Sequence, residues 1–166
     1  MDYVPALSRW VHFLAGVMWI GLLYYFNFVQ VAALKAAQAD NTAAGITRHV
    51  APRALLFFRW AAVVTWLAGA TILSNHFFDA FLFLQKVYVP IGVGAWLGTI
   101  MLFNVWVLIW PNQKKILGLT QASDEEKAKA RRTAFVASRL NTLLSLPMLF
   151  FMIASGGVFR TTFFGM

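Results

Sequence analysis

Apolar residues dominate four long stretches of the chain, and polar residues collect in the segments between them. The stretches cover approximately residues 10–34, 54–74, 87–110 and 140–159. Each has about the 20 residues that a helix needs to cross the hydrocarbon layer of a membrane. Because the backbone must satisfy its own hydrogen bonds there, each stretch predicts a helix. The pattern predicts one all-α domain, a four-helix transmembrane bundle over residues 1–166.

The last helix is expected to begin well before its apolar part. Ser123 and Glu126 have the spacing of a capping box, in which each side chain accepts a hydrogen bond from the backbone of the other residue. Acidic residues fill the first turn and basic residues follow, which matches the helix dipole. We therefore expect a helix from residue 124 that continues unbroken to residue 159.

Basic residues are distributed unevenly between the two ends of the predicted bundle, and the net charge is +8. The side with only three basic residues has Arg9, Lys86 and Arg160. The two longer loops and their flanks contain Lys35, Arg48, Arg53, Lys114, Lys115, Lys127, Lys129, Arg131 and Arg132. The positive-inside rule places these loops in the cytoplasm, with both termini outside, on the periplasmic side. Short connections predict antiparallel neighbours.

Composition excludes several classes of function. The chain is 60% hydrophobic and has no cysteine, so it forms no disulfide, thiolate nucleophile, Cys-based zinc site or iron–sulfur site. The apolar stretches hold no Asp or Glu, which argues against a proton relay or a cation-coupled transporter. The basic residues lie in short loops and form no stripe for nucleic acid. We predict the lipid bilayer and other membrane subunits as partners, and assign no catalytic residue or metal site.

His12 lies just inside the first apolar stretch, on the same helical side as two other polar residues, Asn27 and Gln30. It could be an axial ligand of haem b, with His76 or a methionine opposite it, because haem iron accepts bis-His or His/Met ligation. Gly16, one turn away, would then admit the porphyrin edge. The alternative is that His12 only hydrogen-bonds between helices, with Gly16 against a neighbouring helix. The methionine candidates are Met18, Met101 and Met152.

Small and polar residues in the other stretches predict close packing between helices rather than a cofactor slot. These residues are Thr65, Gly69, Gly94, Gly98, Asn104, Asn141 and Ser145. A second group is predicted to end the third helix, at Pro111, and to place its polar and cationic side chains at the cytoplasmic interface. This group comprises Trp110, Pro111, Asn112, Gln113, Lys114 and Lys115.

Four segments resemble helices of one known family, the N-terminal membrane domain of the bacterial membrane-bound urate oxidases (urate hydroxylases of the PuuD type). The first helix reads RWVHFLAGVMWIGLLYYFNF, the second FFRWAAVVTWLAGATIL and the last LNTLLSLPMLFFMIAS. The most specific likeness lies in the block from Gly98 to Lys115. More remotely, a histidine in a Trp-rich first helix is similar to small haem-associated membrane proteins of protoporphyrinogen oxidation and copper resistance.

The resemblance implies an inner-membrane protein tied to oxidation chemistry, often followed by a cytochrome c domain in fuller family members. It also implies histidines at two positions where this chain has Gly92 and Leu140, so that only His12 carries over. We therefore expect an accessory subunit of a larger electron-transfer complex, respiratory or photosynthetic. The alternatives are a haem b oxidoreductase component that passes electrons to quinone or cytochrome c, and a urate-oxidising enzyme.

Overall fold

The computed structural model describes residues 3–165, with the backbone alone at residues 157–159. No strand occurs in this part of the chain. Four of its helices are long and apolar enough to cross a membrane, with mean hydropathy between 1.5 and 1.8. The helices are α1 (Val4–Ala39), α2 (Ala43–Phe81), α3 (Lys86–Ile116), α4 (Asp124–Ala154) and α5 (Gly157–Phe164). The predicted all-α fold with four span-length helices is confirmed. The predicted domain bounds, 1–166, reach past the described residues.

The first two long helices extend beyond their apolar stretches. Pro5 lies in the first turn of α1, where a missing N–H leaves no bond unmade. The other end of α1 runs through the alanine-rich segment Val31–Ala39, and alanine is the best helix former. In α2 the regular helix ends at Ser74, whose φ of 45° breaks the winding before a 3₁₀ turn and the short helix Phe77–Phe81. Hydropathy therefore locates the apolar part of each helix but not the residues at which the helix begins and ends.

The prediction that α3 ends at Pro111 is wrong, because the helix continues to Ile116. The segment Asn104–Ile109 is a π-helix, a wider winding with i→i+5 hydrogen bonds. It ends just before Pro111, which therefore occupies the first turn of the α-helix that follows. Proline is tolerated there, since its absent N–H would have no partner in a first turn. A second π-helical segment, Tyr25–Gln30, lies within α1.

Both ends of α4 have a local cause. At its start the predicted capping box is confirmed: the Ser123 N–H donates to Glu126 Oε2 over 2.8 Å, and the Glu126 N–H donates to Ser123 Oγ over 3.2 Å. The predicted unbroken run to residue 159 is wrong. The helix ends at Ala154, where Ser155 Oγ donates to the Met152 carbonyl and Gly156 is extended. Serine competes for helix carbonyls and glycine is a poor helix former, so the chain breaks here.

Each long helix contacts the next, and α4 closes the bundle against α1. His12 of α1 meets Thr65 of α2, and the Trp66 indole N–H of α2 donates to Thr99 Oγ1 of α3 over 2.8 Å. Hydrogen bonds described below join α3 to α4 and α4 to α1. The apolar core between the helices includes Trp19, Leu23, Phe58, Met101, Val105, Ile109, Ala137 and Met148.

Candidate functional site

His12 points from α1 into the contact with α2. Its Nδ1 lies 2.8 Å from the backbone oxygen of Thr65. A carbonyl oxygen only accepts hydrogen bonds, so Nδ1 carries the proton and donates. In the neutral ring Nε2 then keeps its lone pair. The same geometry thus serves a bond between helices and orients a nitrogen that could bind a metal centre.

The glycine that admits the imidazole is Gly69. A Cβ at this position would lie 3.1 Å from His12 Cε1 and 3.2 Å from His12 Nδ1. A Cβ at Gly16, in contrast, would make an ordinary 3.7 Å contact with Thr65 Cγ2. Gly69, which the sequence assigned only to helix packing, is therefore the glycine closest to the histidine. Gly16 faces Thr65 instead.

His76 has different partners from His12. Its Nδ1 lies 3.2 Å from the Asp79 carboxylate, and its exposed ring stacks on Tyr88 with the centroids 4.6 Å apart. The described part of the chain holds no group of three or more His, Asp or Glu side chains that could hold a metal ion. His76 is therefore placed as an exposed histidine beyond the regular part of α2.

The three methionine candidates for a ligand opposite His12 lie in different surroundings. Met101 is fully buried in the core and Met152 packs on Gly94, whereas Met18 is half exposed on α1. One observation favours a bound group: Trp19, seven residues after His12, is only 2% exposed, yet its indole Nε1 has no hydrogen-bond partner among the described residues. The residues therefore provide one oriented nitrogen and one unused donor on the same side of α1.

Two buried asparagines join α3 to α4. Asn104 Nδ2 donates to Asn141 Oδ1 over 2.8 Å, and Asn141 Nδ2 donates to the Met101 carbonyl over 3.0 Å. The side chains are 5% and 0% exposed. Buried amides in an apolar bundle need such partners, since lipid offers none.

A second polar contact joins α4 to α1 and includes a residue that the sequence reasoning missed. Asn27 Nδ2 donates to Ser138 Oγ and to the Leu23 carbonyl, each over 2.8 Å. Nearby, Tyr24 donates over 2.9 Å to Ser145 Oγ, because the Ser145 hydroxyl itself donates to Thr142. Ser138 could have been found from its spacing, three and seven residues before Asn141 and Ser145, which places all three on one helical side.

The remaining predicted residues fall into two places. A Cβ at Gly94 would come within 3.4 Å of Met152, whereas one at Gly98 would meet nothing within 4 Å. At the other end of α3, the Arg59 guanidinium lies 3.8 Å above the Trp110 ring and Asn112 Nδ2 donates to the Leu108 carbonyl over 2.7 Å. Beyond Pro111 and Gln113, Lys114 approaches Trp110 and Lys115 lies 4.0 Å from the carboxylate of Glu126.

Comparison with protein families assigns the second half of this bundle. The family model described as urate oxidase N-terminal matches residues 81–163, half of the 166-residue chain. The chain belongs to the urate oxidase N-terminal family. The resemblance drawn from the sequence is thereby confirmed at family level, and the PuuD-type subdivision stays a prediction. No curated protein and no solved structure matches the chain.

The match divides the candidate residues of this urate oxidase N-terminal family member. Asn104, Asn141 and the interface residues 110–115 lie inside the matched range. His12, Thr65 and Gly69 lie outside it. The role of the histidine therefore depends on its own geometry, whereas the α3–α4 half belongs to the part that the family model describes.

Proposed function

We propose that this protein is a multi-pass subunit of the bacterial inner membrane and an accessory component of a larger electron-transfer complex. One observation carries the proposal: most polar side chains of the spanning helices have hydrogen-bond partners inside the bundle, either another side chain or a helix carbonyl. Asn104 bonds Asn141, Asn27 bonds Ser138, and His12 bonds the Thr65 backbone. Groups committed to each other in this way stabilise a scaffold.

The outward surface of α1 supports the same role. Trp10 is 61% exposed, Phe13 66% and Val17 72%, so that one flank of the helix presents large apolar side chains. Lipid can cover such a flank, and so can the helix of a neighbouring subunit. Aromatic side chains near a helix end also suit the membrane interface.

The proposed topology is antiparallel, with both basic loops in the cytoplasm and both termini on the periplasmic side. Residue pairs between α1 and α2 run in opposite order, since His12 meets Thr65 whereas Phe26 packs edge-on against Phe58 at 5.5 Å. The cation asymmetry between the two sides of the bundle sets the orientation by the positive-inside rule.

We expect the protein to co-migrate with a much larger assembly on a native gel after mild detergent extraction of its own membrane. The physical reason is that the exposed apolar flank of α1 docks against another subunit. The measurement is immunodetection of the tagged chain, with a stronger detergent as the control that releases it. Migration of the chain by itself, even after the mildest extraction, would refute the accessory role.

A second candidate is a haem b component of an oxidoreductase, with His12 as one axial ligand and electrons leaving to quinone or cytochrome c. The protonated Nδ1 of His12, held by the Thr65 carbonyl, favours this candidate because it leaves Nε2 as the coordinating nitrogen. Bound haem would supply one-electron chemistry, and the protein would orient the ligand and shield it within the bundle.

This candidate predicts a Soret band in the purified protein that His12→Leu abolishes and His76→Leu leaves unchanged. Loss of the His12 bond should destabilise the bundle by only about 0.6–2 kcal/mol, so unfolding does not explain a lost spectrum. The visible spectrum of the reduced protein in detergent is the measurement. A purified wild-type protein without absorbance above the protein band would rule out the haem reading.

A further inference from the structure

An apolar groove of about 400 Å³ runs along the outer surface between α2 and α3. Its walls include Val63, Leu102 and Val107, together with the indoles of Trp66 and Trp106. The Thr99 hydroxyl in its wall already accepts the Trp66 N–H. The groove therefore offers an open and mainly apolar surface between two span-length helices.

Two cations converge at one end of this groove. Arg59 lies one helical turn before Val63, and its guanidinium stacks 3.8 Å above the ring of Trp110. The Lys114 ammonium lies 6.0 Å from the same ring. The groove and the cations are connected, because the Trp106 indole N–H donates to the Arg59 carbonyl over 3.3 Å.

Neither cation has an anionic partner in the part of the chain that the structure describes. The carboxylates there that form ion pairs do so with Lys115, Lys127 and His76. Uncompensated positive charge at a membrane interface favours an anion, and an indole face adds only a weak cation–π contact. The positive charge at this end of the groove therefore favours binding of a negatively charged group from another molecule.

We propose that this groove is a binding site for an anionic diacyl phospholipid, an inference independent of the role in electron transfer. The headgroup phosphate lies between Arg59 and Lys114, and one acyl chain lies along the groove. Arginine and lysine both recognise phosphate, the first through its fork of donors and the second as a point charge. From Arg59 to Trp66 the helix rises about 10 Å, room for about half of an acyl chain.

The arrangement of the cations next to the apolar groove favours a lipid over other anions. A phospholipid joins an anionic phosphate directly to apolar chains, and the structure presents cations directly followed by an apolar slot. A free phosphate would use the cations alone and leave the groove empty. An acidic protein segment would bring hydrogen-bonding backbone into a slot lined mainly by apolar side chains, which is unfavourable.

The test is a lipid titration of the full chain in detergent, followed by native mass spectrometry. Phosphatidylglycerol is expected to bind about 25-fold more tightly than phosphatidylcholine with the same acyl chains, since each of the two cations contributes about a factor of five. Arg59→Gln and Lys114→Gln should each lower the phosphatidylglycerol affinity by about fivefold and the phosphatidylcholine affinity by less, because choline offsets the charge of its phosphate. Either variant suffices if the other does not fold.

The matched control is Arg131→Gln, an equal loss of charge at an exposed position of α4 that does not line the groove. It should change the affinity by less than about twofold. Val107→Trp, which fills the groove, should abolish tight phosphatidylglycerol binding although both cations remain. Equal affinity for the two lipids, an equal effect of Arg131→Gln, or displacement of the lipid by millimolar inorganic phosphate would each overturn the proposal.

Discussion

Replacement of Gly92 by alanine is expected to destabilise the bundle by about 2 kcal/mol, because the added methyl group has no space. Gly92 is buried in α3, and a Cβ there would collide with the backbone oxygen of Ala80. Ala80 is itself fully buried in the short helix that ends α2. A backbone carbonyl held in a helix moves aside far less readily than a side chain does. Unfolding of the variant by SDS in mixed micelles measures the loss.

Gly98→Ala is the matched control for this prediction. Gly98 lies six residues later in the same helix and is also buried, but a Cβ there would meet nothing within 4 Å. Alanine is a better helix former than glycine by about 1 kcal/mol, so this variant should be as stable as the wild type or more so. Similar losses in the two variants would show that helix α3 does not pack on Ala80 as described.

Asn141→Leu should destabilise the bundle by about 1–2 kcal/mol, since it removes one partner from each of two buried hydrogen bonds. The change leaves Asn104 Nδ2 without its acceptor, and the Met101 carbonyl keeps only the backbone N–H of Asn104 as a donor. Leucine has a similar size, so the loss reports the polar contacts rather than a cavity. The unfolding free energy in mixed micelles is again the measurement.

The double variant distinguishes this explanation from a general intolerance of the site. Asn104→Leu leaves only Asn141 Oδ1 unpaired and should cost less than Asn141→Leu. With both residues replaced, the unsatisfied amide groups disappear, and the double variant should be more stable than Asn141→Leu by itself. Additive losses would contradict the pairing of the two asparagines, because additivity means that they do not interact.

Local signals in the sequence were enough to predict the number of span-length helices and the start of α4. Twenty apolar residues in a row have few alternatives to a spanning helix, and Ser123 with Glu126 forms a capping box within a single turn. Helix ends depend on other causes. Pro111 indicates a stop when read by itself, but the π-helical segment before it places the proline in a first turn.

Contacts between helices depend on how each helix is rotated relative to its neighbour. A local sequence pattern does not predict that rotation. The one-turn spacing from His12 points to Gly16, whereas the ring is admitted by Gly69 of α2. At Gly92, where the resemblance implies a histidine, the Ala80 carbonyl occupies the space that a side chain would need. That contact lies beyond the break at Ser74, in the short helix that ends α2.

The wide winding at Asn104–Ile109 also determines where the basic end of α3 points. An i→i+5 turn takes in one more residue than an α-helical turn, so it shifts the azimuth of every later residue by about 100°. With that added rotation, Trp110 lies under Arg59 and Lys114 lies near the same ring. Deletion of a single residue here would return the helix to uniform pitch and turn its basic end, with Lys114, away from α2. The rotation of α3 about its own axis, as well as its composition, therefore determines which neighbouring helix its basic residues face.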